Sequence, residues 1–237
     1  MVAGKDVMAF EVKICGLTTP DALDAALAAG ADLVGFVHFP KSPRHLPLER
    51  APALAAQVRG RALKVALVVN AGDAELAEVI AALDPDLLQL HGRESPERVA
   101  EIRARFGRPV MKALPVAVRS DLVSLPAYAA EADRILFDAK PAPDAALPGG
   151  NGQVFDWELV RGLDVARPLM LSGGLDAGNV AEAIAATSVG GVDVSSGVET
   201  APGVKSPEKI HAFVTAARRA RAGLAPSSFL TSKAQAS

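Results

Sequence analysis

The chain has 237 residues, 50% of them hydrophobic and 22% charged, with a formal net charge of −2. That length and apolar content suit one globular domain close to the roughly 250 residues of an eight-stranded α/β barrel, and the near-neutral charge argues against nucleic acid or anionic lipid as a partner. No apolar run approaches the ~18 residues of a membrane helix, Lys5 and Asp6 interrupt the opening MVAGKDVMAF before it can form a signal peptide, and a single cysteine excludes an internal disulfide, so the cytoplasm is the expected compartment.

Short apolar runs alternate with amphipathic stretches along the chain. Strands are predicted at 12–15, 33–37, 64–69, 87–90, 110–114, 134–137, 169–171 and 192–194. Each is apolar on both faces and ends in Gly, Pro, Asn, His or Asp, the pattern of buried parallel strands. Helix signals fall between them. Thr19-Pro20-Asp21 opens the first helix and Gly30 closes it; Asp73 begins the third and Ser95-Pro96-Glu97 the fourth. Asp176 caps the seventh, over about 176–186, and Ser206-Pro207-Glu208 the eighth. Eight βα units without a break in composition predict an α/β fold, a single (β/α)8 TIM barrel over residues 1–220. The stretch 221–237 reads as a frayed tail outside the chemistry. An open doubly wound sheet is the alternative, but it lacks a G-x-G-x-x-G turn after the first strand.

Catalytic groups of such barrels stand at the C-terminal ends of the strands. In the first strand Lys13 and Cys15 share a face; a nearby ammonium would lower the thiol pKa and make Cys15 a base or nucleophile, whereas an isolated cysteine is a small buried hydrophobe. After the second strand, two prolines stiffen FPKSPRH and hold Lys41 and Arg44 over the mouth, where a guanidinium fork suits a carboxylate or phosphate. His91 ends the fourth strand, where it could polarise a substrate or hydrogen-bond a loop, and the structural role is the favoured reading. Asp138 ends the sixth after three apolar residues, an expensive place for a carboxylate without a task; pairing with Lys112 or Lys140 is the plainer account. The loop 141–152 (PAPDAALPGGNG) exceeds the usual βα connection and reads as a mobile lid, with Gly149, Gly150 and Gly152 as further N–H donors. Ser172-Gly173-Gly174 and Ser195-Ser196-Gly197 follow the seventh and eighth strands, where a barrel of this type makes its phosphate cup. Asp193, inside the eighth strand, contacts substrate hydroxyls or closes a structural network, and the sequence leaves both open.

The motifs VKICGLT (12–18), GADLVGFVHFPKSPRH (30–45), LQLHG (88–92), LFDAK (136–140), GGNGQVFDW (149–157), LSGGL (171–175) and VDVSSGVETAPGVK (192–205) fall in order along nearly the whole chain. Together they resemble the phosphoribosylanthranilate isomerase family of tryptophan biosynthesis. The resemblance implies an Amadori rearrangement of a phosphorylated small-molecule substrate that needs no metal or organic cofactor. It implies Asp138 as general acid, Cys15 as general base, Arg44 as the clamp on the anthranilate carboxylate, and Gly173, Gly174, Ser196 and Gly197, with Gly150, around the phosphate. Two positions depart from the family pattern: His38 where an aromatic residue is common, and Asn151 where Ser or Thr is usual.

Other phosphate-binding barrels fit less well. An indole-3-glycerol-phosphate synthase calls for a catalytic Lys/Glu set and an extra N-terminal helix, and a pentose-phosphate epimerase for metal-binding His and Asp at strand ends. A non-catalytic phosphate sensor predicts loss of the thiol or the carboxylate, and both are present. Monomer and homodimer are both compatible with the sequence.

Overall fold

The computed structural model describes residues 10–141, 149, 150, 152, 154–187 and 189–224. Asn151 and most of the predicted lid lie outside the described residues, as does the chain beyond Leu224. Eight parallel strands close into a barrel in sequence order: β1 (Glu11–Cys15), β2 (Leu33–His38), β3 (Leu63–Val68), β4 (Leu87–Leu90), β5 (Val110–Val116), β6 (Arg134–Ala139), β7 (Leu169–Leu171) and β8 (Gly191–Val194). Closure is made by β1 against β8, with Lys13 in register with Asp193 and Ile14 with Val194.

The helical layer is α1 (Pro20–Ala29), α2 (Ala51–Val58), α3 (Asp73–Leu83), α4 (Pro96–Phe106), α5 (Leu125–Glu131), α6 (Val180–Thr187) and α7 (Pro207–Gly223). Its boundaries follow the predicted caps. Thr19 Oγ1 accepts from the Ala22 N–H, Ser95 Oγ from Arg98 and Ser206 Oγ from Lys209, each with proline in the first turn. Gly30 ends α1 in the left-handed region at φ 86°.

Three details differ from expectation. Between β6 and β7 the described residues form only a 3₁₀ turn, Trp157–Val160, capped by Asp156; the glycine- and proline-rich approach and Gly162 leave no room for a longer helix. Asp176 does cap, its Oδ1 accepting from Gly178 and Asn179, but those residues form a turn and α6 begins at Val180. Helix α7 continues through Gly223, into the stretch assigned above to the tail.

Two apolar layers hold the barrel. Inside, Leu33, Val65, Leu87, Met111, Leu136 and Met170 pack together below the mouth. Outside the sheet, a larger cluster includes the fully buried Leu23, Leu76, Val99, Ile184 and Phe213 of the helices. Each such side chain removed from water contributes about 1.5–3 kcal/mol. No helix of the described residues is long and apolar enough to cross a membrane.

Candidate active site

A cavity opens at the C-terminal ends of the strands, lined among others by Cys15, Arg44, His91, Asp138, Gly173 and Ser196. Strand alternation explains this convergence. Cys15 faces the cavity, so Lys13 two residues earlier faces the barrel interior, and the same parity aligns Gln89 with His91 and places Asp193 and Asp138 inward.

Lys13 is fully buried and its Nζ lies 2.9 Å from Asp193 Oδ1; Ser172 Oγ donates to Asp193 Oδ2 at 3.3 Å. Asp193 therefore closes a buried network beneath the mouth while also lining the cavity. An ammonium without a partner at this depth would be strongly destabilising. Burial opposes the charge on Lys13, but Asp193 and Cys15 together hold the ammonium above its ordinary pKa. The thiol behaves differently from the expectation of a lowered pKa. Burial pushes Cys15 up, Lys13 pulls it down, Asp193 pushes it up again, and the balance lies above the ordinary thiol value.

Asp138 ends β6 with Oδ1 accepting from the Ala139 N–H at 3.0 Å and Oδ2 3.2 Å from His91 Nε2. Neither lysine weighed above reaches it, because Lys140 pairs with Asp121 and Lys112 with Glu94. His91 lies in the cavity wall beside Asp138.

Arg44 is placed by a local turn in which Ser42 Oγ accepts its N–H at 3.1 Å. Its guanidinium is buried and already engaged: Nε and Nη2 donate to Glu199 Oε1 and Oε2, both at 2.8 Å, and Nη2 also to the Gly150 carbonyl at 3.4 Å. The bidentate fork expected to face a ligand is thus filled by Glu199, which leaves Nη1 beside Gly150. Lys205 Nζ completes the cluster, 2.7 Å from Glu199 Oε1 and 2.9 Å from the Ser195 carbonyl. Burial alone would raise the Glu199 pKa, yet the hydrogen bonds from Arg44 and the charge of Lys205 hold it below the ordinary value. Lys41, by contrast, is exposed.

The two small-residue turns, 172–174 and 195–197, follow β7 and β8 at the mouth. The N–H groups of Gly173, Gly174, Ser196 and Gly197 donate to no acceptor among the described residues. Free backbone donors at the tops of two neighbouring strands are the groups from which anion-binding concavities are built. Gly173 has φ 87°, and a Cβ there would stand 2.5 Å from the Ala139 nitrogen and 3.1 Å from Asp138 Oδ1, so the turn excludes any side chain. Gly197 is packed against the Leu175 carbonyl and does not line the cavity itself.

Sequence reasoning brought together Cys15, Asp138, Arg44, Asp193 and the two turns. It missed Glu199, Lys205 and the contact between His91 and Asp138. Glu199 and Lys205 sit on a hairpin, β9 (Glu199–Ala201) and β10 (Val204–Lys205). A Glu and a Lys flanking a Pro-Gly turn were the available signal, although nothing local says that the hairpin folds back onto Arg44.

Fold and mouth together define the class: a (β/α)8-barrel enzyme with turns of free backbone donors after its last two strands. Within that class the chain belongs to the N-(5'-phosphoribosyl)anthranilate isomerase family, whose model, described as N-(5'phosphoribosyl)anthranilate (PRA) isomerase, matches residues 12–216. The N-(5'-phosphoribosyl)anthranilate isomerase of Azorhizobium caulinodans is 70% identical over 220 residues, covering 93% of this chain and 96% of that one. The crystal structure of phosphoribosyl anthranilate isomerase from Thermotoga maritima has a TM-score of 0.80 at 34% identity, covering 89% of this chain and 99% of that one. A solved complex of a phosphoribosyl anthranilate isomerase with reduced 1-(o-carboxyphenylamino)-1-deoxyribulose 5-phosphate has a TM-score of 0.77 at 33% identity, with coverage of 89% and 99%.

Proposed function

We propose that this protein isomerises N-(5-phospho-β-D-ribosyl)anthranilate to 1-(2-carboxyphenylamino)-1-deoxy-D-ribulose 5-phosphate, an Amadori rearrangement of L-tryptophan biosynthesis, by general acid–base catalysis. The observation that carries the assignment of roles is that a thiol and a carboxyl group line one cavity with four unpartnered backbone donors at its edge. The donors of Gly173, Gly174, Ser196 and Gly197 take the phosphate, and the sugar then lies across the mouth between Cys15 and Asp138.

Asp138 in its acid form gives its proton to the furanose ring oxygen, and the C1–O bond breaks to leave a protonated Schiff base. That positive charge acidifies the neighbouring C2–H and favours the thiolate. Cys15 takes the C2 proton as its electrons form the enolamine, which tautomerises to the ketone. Each of the two proton transfers is worth about 10²–10⁴ in rate. Arg44 meets the anthranilate carboxylate with Nη1, held in place by Glu199. The reading is tested by generating phosphoribosylanthranilate in situ from anthranilate and phosphoribosyl pyrophosphate and following its fluorescence. Consumption that depends on this protein and disappears in Cys15→Ala supports it; consumption at the spontaneous hydrolysis rate sinks it.

A further inference from the structure

One feature of the cavity wall has no part in the scheme above. Gln89 is fully buried inside β4, its Nε2 lies 3.1 Å from His91 Nδ1, and His91 Nε2 lies 3.2 Å from Asp138 Oδ2. An amide nitrogen can only donate. As arranged, it donates to Nδ1, the imidazole hydrogen sits on Nε2, and Nε2–H donates to an Asp138 carboxylate. The Gln89 Oε1 atom is then a buried acceptor with no partner among the described residues, a costly condition in a strand interior. Turning the amide over would bring Oε1 to Nδ1. That arrangement fits a hydrogen on Nδ1 and a bare Nε2, which in turn accepts from a protonated Asp138.

We propose that Gln89 and His91 form a two-position hydrogen-bond relay that accommodates Asp138 both as carboxylate and as acid. The inference rests on Asp138 being the general acid. In the switch a hydronium ion of the cavity solvent gives its proton to Nδ1 and the Nε2 proton passes to Asp138 Oδ2, so the group gains a single proton and a water molecule is released. The Gln89 amide follows by rotation, without breaking the strand. Gly149 roofs the pair: a Cβ there would stand 2.4 Å from His91 Nε2 and 2.5 Å from Asp138 Oδ2, so the backbone lies directly on the His91–Asp138 contact and narrows the choice of other partners for Oδ2. His91 and Gln89 are therefore positioning residues, acting on substrate only through Asp138.

The tautomer is read directly by side-chain ¹⁵N–¹H correlation spectra of histidine in the intact protein. With Asp138 ionised, His91 should carry its hydrogen on Nε2. In Asp138→Asn, whose amide can donate to Nε2, the hydrogen should move to Nδ1; the same tautomer in both proteins overturns the relay. Kinetics give a second reading. His91→Gln keeps a donor at the Nε2 position and should retain more kcat than His91→Asn, which keeps only the Gln89 side. Gln89→Leu should lower kcat about tenfold with KM within twofold, as expected for a lost hydrogen bond to a charged network. Equal kcat in the two His91 variants, or a wild-type kcat in a folded Gln89→Leu, counts against the relay. Full activity in Asp138→Asn would sink the general-acid assignment instead, and the spectra, which need no turnover, still decide the relay.

Discussion

Cys15 works against its surroundings. Burial and Asp193 favour the neutral thiol, Lys13 favours the thiolate, and the outcome is a pKa above the ordinary thiol value of 9.0. A base with a raised pKa is scarce at neutral pH but strong when formed. Hence alkylation of Cys15 by iodoacetamide in the free enzyme should climb with pH from about 6 to 8, close to tenfold per unit, because only the thiolate reacts; a flat rate over that range would show that the thiol is already ionised. Cys15→Ala and Asp138→Asn should each lower kcat at least about a hundredfold with unchanged circular dichroism, the scale of one lost acid–base partner. Glu199 links activity to stability. Its folded pKa lies below the ordinary 4.5, so its ion pairs stabilise the fold fully above that pH, and the contribution is lost as pH falls through the depressed value. Glu199→Gln should therefore flatten the acid-side fall in melting temperature, and it should raise KM by freeing the Arg44 guanidinium to move. An unchanged KM would mean that Arg44 needs no holding.

At the scale of elements, the turn after β7 does most to assemble the site. Its glycines leave N–H groups free, and Gly173 fits between Ala139 and Asp138 only because it has no side chain. Gly173→Ala would add the strain of a non-glycine residue at φ 87° to a clash with the Ala139 backbone. It should lower the melting temperature and raise KM together, and a KM like that of the parent would show that the turn does not hold the phosphate. The eight strands and most helix starts were legible in the sequence because each signal is local: an apolar run, or a Ser/Thr-Pro-acid cap. So were Cys15, Asp138 and the two glycine turns, since a barrel places strand ends at one mouth whatever the loops do. Distances along the chain explain the misses. Arg44 and Glu199 are joined across 155 positions and His91 and Asp138 across 47, and no period or spacing reports such a pairing. The short turn in place of a sixth helix was unreadable for another reason, because Trp157-Glu158-Leu159-Val160 has ordinary helix-forming residues and only its flanks stop it.

Closure governs the whole molecule. A barrel has no edge strand, so the seam between β8 and β1 must be as well held as any other pair. Two things secure it besides the ladder. The Lys13–Asp193 pair bridges the seam from inside. Outside, α7 packs its apolar face across the join, and Arg218 donates to the carbonyls of Phe10 and Gly30 and to Asp32, tying the last helix to the beginning and end of the first βα unit. Phe213 is the fully buried side chain at the centre of that helix's inner face. Phe213→Ala should cost about 3–5 kcal/mol, the usual range for emptying an aromatic site in a core. Because the residue is remote from the mouth, the folded fraction should keep its KM. The measurement is a urea titration of parent and variant, read by far-UV circular dichroism and by residual isomerase activity at each step. If closure is cooperative, both signals shift to lower urea together. A variant that lost activity well before its helical signal would show that the seam opens on its own, with the other six strands still folded, and would make α7 a local clasp instead of part of one folding unit.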